Sequence, residues 1–318
     1  MLLDITFIVI GFVFLIKGAD WLVGGASGLA KKHNVSDLVI GLTIVAFGTS
    51  APELVVNTVA SIDKHSDIVY GNIIGSNNFN LFFILGIVAL IFPITVQKSM
   101  IRKEIPLSLG ITVLLLILSN AVLGQDENIL SRLDASILLV LFIAFLFYTF
   151  KQSAAEPDDI KIGVKPLTNA KIWMLIIGGL GVLVAGGRMV VTGAENIALD
   201  FGISEKIIGL TIVAAGTSLP ELVTSVVAAS KKNSDIAVGN VIGSSIFNLL
   251  FILSVSGLIN PITYEATFNR EMLLLIGGTL LLILFMYVGK KHRLDRWQGA
   301  LLLGIFVVYT VFLIQNEL

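Results

Sequence analysis

Residues 41–54 read GLTIVAFGTSAPEL and residues 209–222 read GLTIVAAGTSLPEL, identical at 12 of 14 positions. A second phrase follows each, GNIIGSNNFN at 71–80 and GNVIGSSIFN at 239–248, identical at 7 of 10. Both pairs are separated by 168 residues, and one offset shared by two motifs marks duplication of a whole unit. The register extends further. Ser36-Asp37 aligns with Ser204-Glu205, Ser66-Asp67 with Ser234-Asp235, and Pro93-Ile94-Thr95 with Pro261-Ile262-Thr263. Each copy carries one glutamate inside its apolar first phrase, Glu53 and Glu221.

Composition narrows the class. Of 318 residues, 56% are hydrophobic and 14% charged, where a soluble protein has about 25% charged. A mean hydropathy of +0.95 excludes a soluble globular domain. The net charge of −1 gives no electrostatic footprint for nucleic acid. There is no cysteine, which removes disulfides, thiolate metal sites and cysteine nucleophiles. The three histidines, His33, His65 and His292, are isolated. The first apolar stretch lacks the basic flank and small-residue cleavage site of a removable signal, so it reads as a retained span.

A bilayer-crossing helix needs about 20 mostly apolar residues. Ten candidates satisfy this, near 3–29, 37–60, 67–92, 104–123 and 134–150, then 171–198, 205–229, 235–259, 271–289 and 297–315. They fall five on either side of a polar linker at 151–170, giving repeats at 1–150 and 171–318. Loops after odd-numbered spans hold 15 lysines and arginines, and those after even-numbered spans hold 5. The positive-inside rule therefore places the linker in the cytoplasm and both termini outside. Five is odd, so the second copy enters the membrane upside down. The expected fold is all-α and integral to the membrane, ten helices in two inverted-topology repeats, the plan of secondary transporters with a midplane site where the halves meet.

The repeated phrases have the chemistry of a hard-cation site. Pro52 lacks an amide hydrogen and clashes with the Gly48 carbonyl, so the helix should kink and release carbonyls at membrane depth. Such groups are tolerated only when buried in protein or lining a watery cavity. Gly216 and Pro220 repeat the arrangement. Thr49, Ser50 and Glu53, with Thr217, Ser218 and Glu221, then cluster within one turn of each break. Ser76 and Asn80, like Ser244 and Asn248, are four apart and share a helical face. Gly71, Gly75, Gly239 and Gly243 allow close helix approach. Calcium takes roughly 6–8 oxygens in flexible geometry, which this set supplies, and two carboxylates match one divalent or two monovalent cations. A charge at a helix centre costs about 2.5–3.5 kcal/mol, here incurred twice, and a bound cation compensates.

GTSAPE with GSNNFN, followed by GTSLPE with GSSIFN, resembles the two α-repeats of the sodium/calcium exchangers, within the cation/calcium exchanger superfamily. The resemblance covers nearly the whole chain and points to the prokaryotic type. It implies that Glu53 and Glu221 are the central calcium and sodium ligands. It further implies hydroxyl ligands from Thr49, Ser50, Ser76, Thr217, Ser218 and Ser244, carbonyl ligands from Ala46 and Ala214, and completion by Asn80 and Asn248. Many relatives have aspartate where this chain has Asn248, which favours potassium independence. Asn78 stands where the family has an apolar residue, as Ile246 is in the second copy. The linker of about twenty residues is too short for the calcium-sensing domains of animal exchangers.

Other residues read more plainly. Lys17 and Asp20 are three apart and are expected to form an ion pair. Asn72 and Asn240 are expected to cap or bridge helices rather than bind an ion. The linker acids Glu156, Asp158 and Asp159 read as solvated.

The expected activity is calcium-for-sodium antiport by alternating access in the cell or inner membrane. It needs no enzyme chemistry and no cofactor. The partners are Ca2+, Na+ and the lipid bilayer, without nucleic acid, in a chain that works as a monomer. Protons could replace sodium as driver, since carboxylates protonate; sodium-independent uptake that dissipates a pH gradient distinguishes that case. A cation channel would conduct calcium without counter-transport. A hydrolase built on Ser50 or Ser218 lacks a positioned base.

Overall fold

The computed structural model describes residues 2–120, 128–153, 167–201 and 214–317. Apart from four two-residue strands, its regular structure is helical. Helix α1 is Leu2–His33, with Lys31, Lys32 and His33 in its last turn, opposing the carbonyl end of the helix dipole. Then come α2 (Asp37–Thr49), α3 (Ala51–Ile62) and α4 (Ser66–Ile91). Strand β1 (Ile94–Thr95), α5 (Lys98–Arg102), α6 (Glu104–Ser119), β2 (Ile129–Leu130) and α7 (Arg132–Ser153) complete the first half. The second half has α8 (Asn169–Asp200), α9 (Ala214–Thr217), α10 (Leu219–Ser230) and α11 (Ser234–Ile259). It ends with β3 (Ile262–Thr263), α12 (Asn269–Phe285), β4 (Arg293–Leu294) and α13 (Arg296–Glu317).

Seven helices among the described residues are long and apolar enough to cross a bilayer, and the α2–α3 pair, bent by 48°, makes an eighth candidate. The protein is thus a multi-pass helical membrane protein. Two expected spans differ from their sequence windows: at 104–123 the 16-residue α6 ends at Ser119, and at 271–289 the helical segment begins earlier, at Ala266, and stops at Phe285 ahead of Gly289 at φ +85°. The span expected at 205–229 is described only from Ala214. Glu205, Lys206 and the linker acids Glu156, Asp158 and Asp159 lie outside the described residues.

The duplication is visible in backbone detail. Ser66–Asn78 and Ser234–Ile246 are α-helical, and each passes into a π-helical turn, Phe79–Ile84 and Phe247–Ile252, at the 168-residue offset. After that the offset shifts, and β2 and α7 match β4 and α13 at 164 residues. The short strands pair across the halves, β1 with β4 and β2 with β3, both antiparallel.

Helices α1 and α8 pack along one another through glycines every seventh residue, Gly11, Gly18 and Gly25 against Gly179, Gly186 and Gly193. A Cβ on Gly18 would stand 2.7 Å from the Gly179 carbonyl oxygen, and one on Gly186 would stand 2.7 Å from that of Gly11. Lipid tails are as apolar as leucine, so helices in a bilayer associate by close backbone approach rather than by hydrophobic burial. Each of these helices has 32 residues and is about 48 Å long at 1.5 Å per residue, beyond a hydrocarbon layer of about 30 Å. The same device brings α11 against α2, where a Cβ on Gly243 would lie 2.8 Å from that of Ala46. The core of the molecule is therefore the crossing of α2–α3 and α9–α10 with α4 and α11.

Candidate cation site

Both proline-containing phrases break their helices one residue after the threonine. Ser50 (φ −82°, ψ 8°) separates α2 from α3, and Ser218 (φ −91°, ψ 5°) separates α9 from α10. Pro52 and Pro220 then fall in the first turn of the following helix, where a missing amide hydrogen costs nothing. Upstream of Ser50 the turn Gly41–Val45 is π-helical, a widening that the sequence pattern does not announce. Glu53 and Glu221 follow within one turn of each break, both 1% exposed.

The two breaks face one another, and each serine serves the glutamate of the other half. Ser50 Oγ donates to Glu221 Oε1 at 2.9 Å, and Ser218 Oγ donates to Glu53 Oε1 at 3.1 Å. Ser244 Oγ reaches Glu221 Oε1 at 3.3 Å, and Ser218 and Ser76 are 3.2 Å apart. The Ala46 carbonyl accepts from Thr49 at 3.3 Å and lies 3.5 Å from Ser244 Oγ. Nine of the twelve expected site residues are thus joined by hydrogen bonds across the two halves, with Thr217 reached by Asn72 Nδ2 at 3.5 Å.

Asn80 and Asn248 lie one turn beyond Ser76 and Ser244, inside the two π-helical turns, each 1% exposed. Ala214 opens α9 at the edge of the described residues, and its carbonyl contacts are not among those described.

The donor set is marked by what it leaves unsatisfied. Glu53 Oε2, Glu221 Oε2, Asn80 Oδ1 and Asn248 Oδ1 are buried and have no hydrogen-bond partner among the described residues. Buried polar atoms are normally paired, and an unpaired carboxylate oxygen is costly. No lysine, arginine or histidine forms an ion pair with either glutamate among the described residues. Four acceptor-only oxygens at equivalent positions in two halves, with hydroxyls and a carbonyl around them, suit a hard cation taken up as cargo.

Sequence matching agrees with this chemistry. Residues 3–151 and 171–315 match the family model described as sodium/calcium exchanger protein.

The chain belongs to the sodium/calcium exchanger family.

Among relatives, the sodium/calcium exchanger MaX1 of Methanosarcina acetivorans is 32% identical, over 96% of this chain and 97% of the relative. The putative antiporter CaxA of Alkalimonas amylolytica is 37% identical, over 99% of this chain and 100% of the relative. The solved structure of the sodium-calcium exchanger NCX_Mj, soaked with 10 mM Na+ and 10 mM Sr2+, superposes with a TM-score of 0.83 at 36% identity, covering 98% of both chains. The family is one of ion transporters.

Two plainer readings come out differently from each other. Among the described residues Lys17 does not pair with Asp20. Asp20 Oδ1 lies 2.6 Å from Lys231 Nζ instead, because the end of α10 approaches α1 there and leaves Lys17 exposed. Asn72 and Asn240 bridge helices as expected. Asn240 Oδ1 accepts from Thr49 at 3.0 Å, and its Nδ2 donates to Ser225 Oγ and the Glu221 carbonyl. Asn72 Oδ1 accepts from Asn57 Nδ2 at 2.6 Å. Asn57 and Ser225 join these networks without standing in either repeated phrase. Their signal was a polar residue four positions after each glutamate, on the same face. Asn78 faces elsewhere, donating to the Glu271 carbonyl at 3.1 Å.

Proposed function

We propose that the protein exchanges Ca2+ for Na+ across the cell or inner membrane by alternating access, with inward sodium movement expelling calcium. The observation that carries this reading is the pair of buried carboxylates, Glu53 and Glu221, each bonded by the other half's serine and each with one oxygen unpartnered among the described residues. Two fixed negative charges are balanced by one Ca2+ or two Na+, so calcium and sodium compete for the same oxygens. A half-filled site carries uncompensated charge into the apolar layer, which disfavours reorientation without full loading.

In this reading, Glu53 and Glu221 are the central ligands. Thr49, Ser50, Ser76, Thr217, Ser218 and Ser244 add hydroxyls, Ala46 and Ala214 carbonyls, and Asn80 and Asn248 amide oxygens. The chain crosses the membrane ten times, as repeats at 1–150 and 171–318 in opposite orientation, with a cytoplasmic linker at 151–170 and both termini outside. It acts as a monomer. One bundle rocks against the other around the fixed site. If the cycle moves net charge, each unit couples to about 2.3 kcal/mol per 100 mV.

Calcium uptake into vesicles loaded in turn with sodium, potassium or protons tests the driver. The sodium reading expects uptake only from sodium-loaded vesicles. Uptake that needs a pH gradient and ignores sodium would replace it with the proton-driven version, and uptake with no counter-ion gradient at all would indicate a channel.

A further inference from the structure

A crevice between α2–α3 and α11 leads to the hinge at Ser50. It is lined by Phe47, Ser50, Leu54, Phe247, Phe251 and Ile252 and is too narrow to hold a water. Apart from Ser50, every lining side chain is apolar. The crevice ends on the hydroxyl that bonds Glu221, which makes it a route from the surface to the cation site.

The duplication supplies a counterpart. At the 168-residue offset the six lining positions correspond to Ala215, Ser218, Leu222, Phe79, Phe83 and Ile84, and five of the six are the same residue. A third phenylalanine completes each set. Phe142 of α7 packs on Phe247 and Phe251 at ring separations of 4.9 and 5.0 Å, and Phe306 of α13 packs on Phe79 and Phe83 at 5.6 and 5.3 Å. Phe142 and Phe306 correspond at the 164-residue offset of those two helices. Each serine hinge thus has the same aromatic trio beside it, and the lining differs only in Phe47 against Ala215.

That one difference goes with different packing. Phe47 lies 5.8 Å from Phe247 and 6.1 Å from Phe251, against both rings, and those two stand 6.3 Å apart, edge to face. In the half with Ala215, Phe79 and Phe83 close to 4.5 Å and stack. Phe47 is also the one exposed member of its lining, at 49%, while Ser50 behind it is buried. Apolar constrictions block ions by excluding water, so wetting this passage requires the Phe47 ring to swing off Phe247 and Phe251. On the other side no such ring stands in the way.

In the inverted arrangement proposed above, α3 and the second half of α11 lie toward the outside, whereas α10 and the second half of α4 lie toward the cytoplasm. The two crevices therefore serve opposite faces. We infer that Phe47 is a gating residue that plugs the outward route to the Ser50–Glu221 bond, and that the inward route, with Ala215 in its place, opens more readily. This rests on the inverted ten-span exchange reading and adds an inequality between its two faces.

The chain contains no cysteine, so an introduced thiol reports access without interference. Leu54→Cys and Leu222→Cys place one in each lining of the full-length protein. Reaction with a membrane-impermeant, trimethylammonium-bearing methanethiosulfonate is followed in intact cells for the outer face and in inside-out vesicles for the inner face. Leu54→Cys should react from outside, and Leu222→Cys from inside and faster. Adding Phe47→Ala should speed the outward reaction about tenfold, the contact of a half-buried ring, without speeding the inward one. Adding Ala215→Phe should slow the inward reaction by a similar factor. An unchanged outward rate on adding Phe47→Ala overturns the inference, and so does a rise at both positions, which marks general loosening.

If Phe47→Ala is not monodisperse in detergent, Ala215→Phe decides, and an inward reaction that it fails to slow overturns the inference. Neither rate requires transport, so wild-type protein without sodium-driven calcium uptake would sink the exchange reading alone. Reaction of both thiols from one face would sink the inverted arrangement and the inference with it.

Discussion

Ser50 Oγ stands 2.9 Å from Glu221 Oε1, a hydrogen bond between residues 171 positions apart that joins the two copies of one sequence phrase. Its counterpart, Ser218 to Glu53, measures 3.1 Å. Reciprocal bonds of this kind make each half's acid depend on the other half's hinge. Neither copy builds a complete site alone.

Removing either hydroxyl should therefore weaken cation binding while leaving the fold intact. Hydrogen bonds to charged groups contribute about 1.5–3 kcal/mol, so Ser50→Ala or Ser218→Ala should raise the half-saturating calcium concentration by roughly 10- to 100-fold. Titration of uptake in reconstituted vesicles measures this. Unaltered affinity in both variants would remove the serines from the site.

The α1–α8 contact makes a stability prediction independent of transport. Gly18→Val places side-chain atoms where the Gly179 carbonyl stands, and overpacking of this kind costs about 1–3 kcal/mol or more. On the same helix, a Cβ added to Gly24 would meet nothing within 4 Å among the described residues, so Gly24→Val should be tolerated. Thermal unfolding in detergent should show a lowered midpoint for the first variant only.

Asn78 offers a contrast to the site residues. It is fully buried, spends one donor on the Glu271 carbonyl and leaves Oδ1 without a partner among the described residues. Asn78→Ile installs the residue found at the equivalent position 246 and removes both the bond and the orphaned oxygen. The two effects oppose each other, so stability should change by less than about 1.5 kcal/mol and calcium affinity should not change. A loss of affinity greater than a few-fold would bring Asn78 into the site.

The Asp20–Lys231 pair is half-exposed, with side-chain exposures of 50% and 38%. Pairs of that kind contribute about 0–1 kcal/mol. A double-mutant cycle of Asp20→Asn and Lys231→Gln, read by thermal unfolding, should return a coupling energy within that range.

Most of the site was legible because duplication supplies its own control. A glutamate in an apolar helix has several explanations, but one recurring 168 residues later beside the same proline and glycine has few. The helix break at Ser50 followed from Pro52, and burial of Asn80 and Asn248 from their spacing to Ser76 and Ser244. The cross-half pairing of serine with glutamate was not legible, since it depends on how two hinges meet in space. The glycine ladder could have been read: Gly11, Gly18 and Gly25 recur at Gly179, Gly186 and Gly193 in the same register as the motifs. The Lys17–Asp20 expectation failed because helical spacing permits a pair without selecting it, and Lys231 from another helix offered a closer partner. The π-helical turns have no simple sequence signature, and neither does the opposed orientation of Asn72 and Asn240, which requires knowing which backbone carbonyl each amide meets.

The central claim is that Glu53 and Glu221 together hold the transported cation. Sodium-gradient-driven 45Ca2+ uptake by proteoliposomes bearing Glu53→Gln or Glu221→Gln tests it most directly, with monodispersity in detergent confirming a folded protein. Each substitution should abolish uptake, because one remaining carboxylate cannot balance a divalent ion among buried oxygens. Near-normal uptake in both variants would contradict the claim.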